Sequence, residues 1–264
     1  MKPARPPVIL SLLLLLLLAL PAHAAGDIDT LARGNQLYAQ GDFQAAGQLY
    51  EQLIAQGVED SVLYYNLGNA YYKQGELGRA LLNYTRAARL APRDADIQAN
   101  LALARSQVAD KYETNSSSPV AGLLALVERW LTINELAWAA FSIWVLCALL
   151  WLLQQHLAPG NPRTLTQYAL GLSVLLLLLS TVSLGGILYT ESRWPPAIVL
   201  SPEIAVVSGP GTQFTTEFTL HSGAQVSLLE TRGDWVRIAL PGEQLQGWTP
   251  AATVATVAPG VTNH

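Results

Sequence analysis

The chain has 264 residues, half of them apolar, and a formal net charge of -4, with a positive mean hydropathy. The apolarity is concentrated in three runs separated by stretches of ordinary soluble composition, which indicates a membrane protein with domains outside the bilayer. The acidic balance, with no cluster of Lys and Arg, disfavours a nucleic-acid partner, and the lone Cys147 has no disulfide or metal-site neighbour.

Lys2 and Arg5 precede an apolar run from Val8 to Leu20, and Ala22-His23-Ala24 supplies the small residues of a cleavage site. The pattern predicts a signal peptide over 1–24, cut after Ala24. The alternative is an uncleaved anchor, and either outcome exports the residues beyond it.

A period of 34 residues then sets in. Within 61–94, Tyr64, Leu67, Gly68 and Tyr71 fall on one helix, Ala80, Tyr84 and Ala87 on the next, and Pro92 ends the unit. One period earlier, Gly34 answers Gly68, Gly41 answers Gly75, Ala46 answers Ala80 and Tyr50 answers Tyr84. Small residues are expected where two antiparallel helices cross, because a larger side chain would push them apart. These positions resemble those of the tetratricopeptide repeat. The resemblance implies an all-α solenoid over 25–112, with repeats 27–60 and 61–94. A helix from Ala95 to about Lys111, carrying Ile97, Leu101, Ala104 and Val108 at helical spacing, would cap it. Glu59-Asp60 and Asp94-Asp96 read as solvated junctions or helix caps rather than an acid/base pair.

Tyr65, Asn69 and Tyr72 recur at i, i+4 and i+7 with Lys73 beside them. Asn35 and Tyr38 stand at the corresponding places one repeat earlier, and Asn66 and Asn100 are 34 apart. Their side chains are expected to point away from the inter-helix core and to line a groove. Amides donate to and accept from a peptide backbone and Tyr adds flat contact, so the set suits an extended peptide. The competing reading is that Asn and Tyr are simply frequent on exposed repeat helices. In chaperone-binding repeats a carboxylate clamp uses two Asn and several basic residues. Here Asn35 and Asn66 take the Asn places, but Leu31, Asp96 and Asn100 stand where the basic residues would be, which argues against carboxylate capture.

Residues 113–135 read as a Ser-rich linker, Thr114 to Pro119, followed by a short interfacial helix with Leu123, Leu124, Val127, Trp130 and Leu131 on one face. Thr132 and Glu135 have the spacing of a capping box. Two uncharged runs, 136–154 and 168–189, would span about 28 and 33 Å as helices, enough to cross hydrocarbon. The loop 155–167 between them holds Pro159, Gly160, Pro162 and Arg163 and no acid. A buried globular helix pair is the alternative to a transmembrane hairpin. Export and loop charge together place Arg163 on the cytoplasmic side and both flanking parts outside. Neither span carries an ionisable residue, which argues against an ion or proton pathway.

From 197 to 258 short alternating runs are separated by Gly and Pro, predicting strands at Ala197–Leu200, Ile204–Val207, Phe214–Leu220, Ala224–Glu230, Trp235–Leu240 and Gln246–Thr249. Ser208-Gly209-Pro210-Gly211, Leu220-His221-Ser222-Gly223, Gly233-Asp234-Trp235-Val236-Arg237-Ile238 and Gly247-Trp248 resemble a bacterial SH3 domain, implying a small all-β barrel. Val207 stands where that family often has Arg. No zinc spacing, phosphate loop, nucleophile elbow or serine triad pattern is present, so a non-enzyme without cofactor or metal is expected.

The order of signal peptide, repeat pair, transmembrane hairpin and SH3-like barrel resembles the BatE family of the bacterial aerotolerance (Bat) operon. That resemblance implies an inner-membrane accessory protein working with membrane-anchored von Willebrand A-domain proteins and a MoxR-type ATPase in stress tolerance or envelope maturation. Competing readings are a cell-wall protein whose barrel binds peptidoglycan, and an enzyme with an unrecognised site.

Overall fold

The computed structural model describes residues 24–110, 130–242 and 245–258, with side chains from 28 onward. Residues 1–23 of the expected signal peptide, Lys111, the expected linker and Leu123, Leu124 and Val127 of the expected interfacial helix lie outside the described residues. The chain forms two compact units, one ending at Val58 and one beginning at Glu59.

In the first unit α1 (Ala24–Ala39) and α2 (Phe43–Ala55) form a helical hairpin. Asp42 opens α2 by accepting a hydrogen bond from the Ala45 amide at 3.0 Å, which satisfies one of the unpaired donors of a helix start. Ala46, Tyr50 and Leu53 are buried on one face of α2. A Cβ on Gly34 would stand 2.6 Å from the Tyr50 ring, so a glycine there lets the tyrosine lie flat against α1.

The second unit starts with α3 (Ser61–Lys73), α4 (Leu77–Leu90) and α5 (Ala95–Ser106). Asp60 and Asp94 cap α3 and α5 through amides of Val62 and Leu63, and of Asp96 and Ile97. Gly68 repeats the packing of Gly34, since its Cβ would lie 2.6 Å from the Tyr84 ring. Tyr64, Leu67, Ala80, Leu81, Tyr84, Ala87, Ile97 and Leu101 are buried. The capping helix stops at Ser106, short of the expected Lys111. Beyond it the chain turns so that Val108 and Asp110 meet the Gly223 turn and His221.

Helix α6 (Ile133–His156) opens with the expected capping box. Thr132 Oγ1 accepts from the Glu135 amide at 3.1 Å, and the Glu135 carboxylate accepts from the Thr132 amide at 2.9 Å. Helix α7 runs from Asn161 to Arg193. It therefore begins seven residues before the expected span, and the expected 155–167 loop shrinks to Leu157–Gly160. The reason is Pro162: it sits in the first turn of α7, where its missing N–H costs nothing and its fixed φ suits a helix start. Both helices are long and apolar enough to cross a membrane, and large apolar side chains along them, such as Trp138, Leu165 and Val182, are about 70 % exposed (69 %, 71 % and 69 %).

Helix α7 leads directly into the strands β1 (Pro196–Val199), β2 (Glu203–Val207), β3 (Thr216–His221), β4 (Gln225–Arg232), β5 (Trp235–Ala239), β6 (Gln246–Pro250) and β7 (Val254–Thr256). They form one antiparallel sheet in the order β3-β2-β6-β5-β4-β1-β7. Six strands match the expected ones within a few residues. The expected third strand starts later, at Thr216, because Phe214 folds over Gly209, whose Cβ would lie 2.5 Å from its ring. The seventh strand, only three residues long, pairs with β1. Alternate residues of neighbouring strands, Val226 and Leu228, Val236 and Ile238, Ile204 and Val206, join in one apolar core, as a sheet with one buried face requires.

Candidate functional site

The amide and tyrosine set is built at the joint of α3 and α5. Asn100 Nδ2 donates to Tyr65 Oη at 3.0 Å and to Asn69 Oδ1 at 2.9 Å. The same Asn69 oxygen accepts from Tyr84 Oη at 2.7 Å. Gln107 Nε2 donates to Tyr72 Oη. The structure thus brings Tyr65, Asn69 and Asn100 together and ties Tyr72 to Gln107, with Asn66 half-buried and Lys73 exposed on the same helix.

Asn69 departs from the expectation that this face points away from the core. It is the acceptor for a phenol that is 1 % exposed, and a buried hydroxyl without a partner is costly. Asn69 and Asn100 are therefore fastenings between helices as much as surface groups. The first unit repeats the arrangement, with Tyr50 Oη donating to Asn35 Oδ1 at 2.8 Å. Tyr38 packs edge-on against Phe43, their ring centroids 5.1 Å apart. Burial, followed by the neighbouring Tyr38, pushes the Tyr50 phenol up to about 12, so it stays a donor. Pro92 lies two residues past the end of α4, and its carbonyl accepts from Gln98 Nε2.

A second constellation escaped sequence reading. Arg86 and Arg89 stand one turn apart on α4, Arg93 follows in the turn beyond its end, and each reaches a different part of the chain. Arg86 donates to the carbonyls of Thr256 at 2.8 Å and Val257 at 3.1 Å. Arg89 pairs with Glu191 in the last turn of α7. Arg93 donates to the Trp130 carbonyl at 2.8 Å and pairs with Glu135, the capping residue of α6. The sequence signal is the run Arg86 to Arg93 itself, whose partners lie 37 to 171 residues away.

The sheet contributes a further fastening. Helix α4 has no capping side chain of its own, and Ser222 Oγ accepts from the Gly78 amide at 2.9 Å in its place. Gly78 is needed there, since its Cβ would come within 2.4 Å of the Val199 carbonyl. Beside it, the His221 amide donates to Asp110 Oδ2 at 2.6 Å and its ring nitrogen lies 3.0 Å from Asp110 Oδ1. The hydrogen bond to Asp110, and then its charge, raises the His221 pKa above the ordinary imidazole value.

A cavity of about 690 Å³ opens between these fastenings, lined from α4 by Arg86 and Arg89, from α5 by Arg105, and from the ends of α6 and α7 by Leu136 and Ile187. The guanidinium of Arg86 lies over the Tyr64 ring, 5.7 Å from its centroid. Burial raises the Tyr64 phenol above its ordinary value, against the pull of the Arg86 charge. Among the described residues no group of His, Cys, Asp and Glu has the arrangement of a metal site.

Residues 61–94 match the family model described as tetratricopeptide repeat. A search of curated proteins found no match. Tetratricopeptide repeats generally mediate contacts between proteins, and the match covers Tyr65, Asn69, Tyr72 and the arginine row.

Proposed function

We propose that this chain is a non-enzymatic membrane scaffold. Its second repeat is held at the bilayer surface by the arginine row and offers the face around Tyr65, Asn66, Tyr72 and Lys73 to a protein partner. The observation that carries this reading is the division of labour on one repeat: Arg86, Arg89 and Arg93 engage the sheet and the two long apolar helices, while α3 presents the half-buried Tyr65, Asn66 and Tyr72 and the exposed Lys73. The hairpin crosses the bacterial inner membrane, with the repeats and the sheet in the periplasm. The sheet is an SH3-like barrel, supported by its turn residues and by the single pairing of Val207 with Trp248 that joins β2 to β6. Resemblance to the BatE family makes von Willebrand A-domain membrane proteins and a MoxR-type ATPase system the partners to look for.

Co-purification from native membranes tests the reading, comparing wild type with the combined substitutions Asn66→Ala, Tyr72→Ala and Lys73→Ala. Asn69 and Asn100 are left intact because they fasten the helices. Loss of a defined protein partner with unchanged helicity is expected. Retention of the full partner set would move the interaction to the sheet, and sedimentation of the protein with peptidoglycan would then favour the cell-wall alternative.

A further inference from the structure

We infer that the cavity beneath the second repeat is a binding site for an anionic phospholipid, its phosphate held by Arg86 and Arg105 and its acyl chains leaving along α6 and α7. The inference rests on reading those helices as membrane spans.

Three observations converge on this ligand chemistry. The first is charge. Arg86, Arg89 and Arg105 line the cavity against Glu59 and Glu191, three cations to two carboxylates. Glu191 is taken by Arg89, Arg86 is bonded to neutral carbonyl oxygens, and Arg105 has no side-chain partner among the described residues. An entering anion completes the balance, and guanidinium groups match phosphate oxygens in geometry.

The second is a pair of orphaned hydroxyls. Tyr64 is 1 % exposed, yet its Oη, like Thr85 Oγ1, is buried with no hydrogen-bond partner, and both residues line this cavity. Buried hydroxyls are nearly always bonded, so two of them in a cavity that Arg86 and Arg105 also line mark the place of an acceptor. Phosphate oxygens supply acceptors and no obligatory donor.

The third is position. The opposite wall comes from the first turn of α6, Ile133 and Leu136, and from the end of α7, Ile187, Glu191 and Trp194. In a spanning hairpin these turns lie at the boundary of hydrocarbon and headgroups, where Trp is favoured. The volume falls within the range of small-molecule pockets.

The test uses the full-length protein purified in neutral detergent, with four probes: dihexanoyl phosphatidylglycerol, dihexanoyl phosphatidylcholine, inorganic phosphate, and a short peptide with a free terminal carboxylate. Binding of the phosphatidylglycerol about tenfold tighter than of the other three is expected, with Arg105→Gln and Tyr64→Phe each weakening it about tenfold. Tyr64→Phe keeps the ring under Arg86 and removes only a hydroxyl without a partner, so its melting temperature without lipid should not fall. Equal binding of the two lipids, or no loss in either variant, would overturn the inference. Inorganic phosphate or the peptide binding as tightly as the phosphatidylglycerol would overturn the lipid assignment. Release of the protein from membranes by alkaline carbonate would remove the spanning reading and the inference together, whereas an integral protein without lipid preference would remove the inference alone.

Discussion

Asn69 Oδ1 receives the Tyr84 hydroxyl at 2.7 Å, and one period earlier Asn35 Oδ1 receives the Tyr50 hydroxyl at 2.8 Å. The repeat is thus marked by a polar fastening as well as by small residues. Asn69→Ala removes this acceptor from the buried Tyr84 phenol and should destabilise the fold by about 1–3 kcal/mol. Tyr84→Phe alone should cost less, and adding it to Asn69→Ala should recover part of the loss. Thermal melts of the four proteins of this double-mutant cycle give the coupling directly; purely additive effects would mean that the bond contributes nothing.

The close approach of Gly68 to Tyr84 supports a second prediction. Gly68→Ala forces the ring away from a contact of 2.6 Å and should lower stability by about 1–3 kcal/mol, as overpacking does. Gly185→Ala, where nothing lies within 4 Å, is the control and should leave the melting temperature unchanged. Equal melting temperatures for both variants would contradict the packing register.

Stability should also respond to pH through His221. Its folded pKa is raised, by the hydrogen bond and charge of Asp110 and to a lesser degree by Glu203. The charged imidazole therefore favours the folded state. Its contribution is fully present below the unfolded value of about 6.5 and is lost as pH rises through the higher folded value. The difference in melting temperature between wild type and His221→Gln should shrink across that window. A difference that grew with pH would show that the neutral ring is the one preferred.

Legibility in the sequence depends on the range over which each feature acts. Gly34, Gly68, Tyr50 and Tyr84 stand out because the repeat compares the chain with itself at a fixed offset. Thr132 and Glu135 are legible because a cap is a local device. Pro162 misled because a proline reads as a breaker until its place in the first helical turn is known. Val254–Thr256 carries too little pattern to mark a strand, and its pairing with β1 depends on the rest of the sheet. Within the candidate site, spacing placed Asn69 with Tyr65 and Tyr72, but its inward role was hidden. An amide on a repeat helix looks the same whether it meets solvent or a buried phenol from the next helix. The arginine row was hidden for a related reason, since the spacing of Arg86, Arg89 and Arg93 does not say what stands opposite.

The central claim is that the second repeat and the sheet sit on one face of a membrane hairpin whose connecting turn is on the other. Single cysteines placed at Lys73, Glu217 and Arg163 in a Cys147→Ser background test it, all three positions being exposed. With a membrane-impermeant thiol reagent that reaches the periplasm, the first two should label in intact cells and the third only after the inner membrane is permeabilised. Labelling of Lys73→Cys and Glu217→Cys from opposite sides, or of Arg163→Cys together with them, would contradict the account.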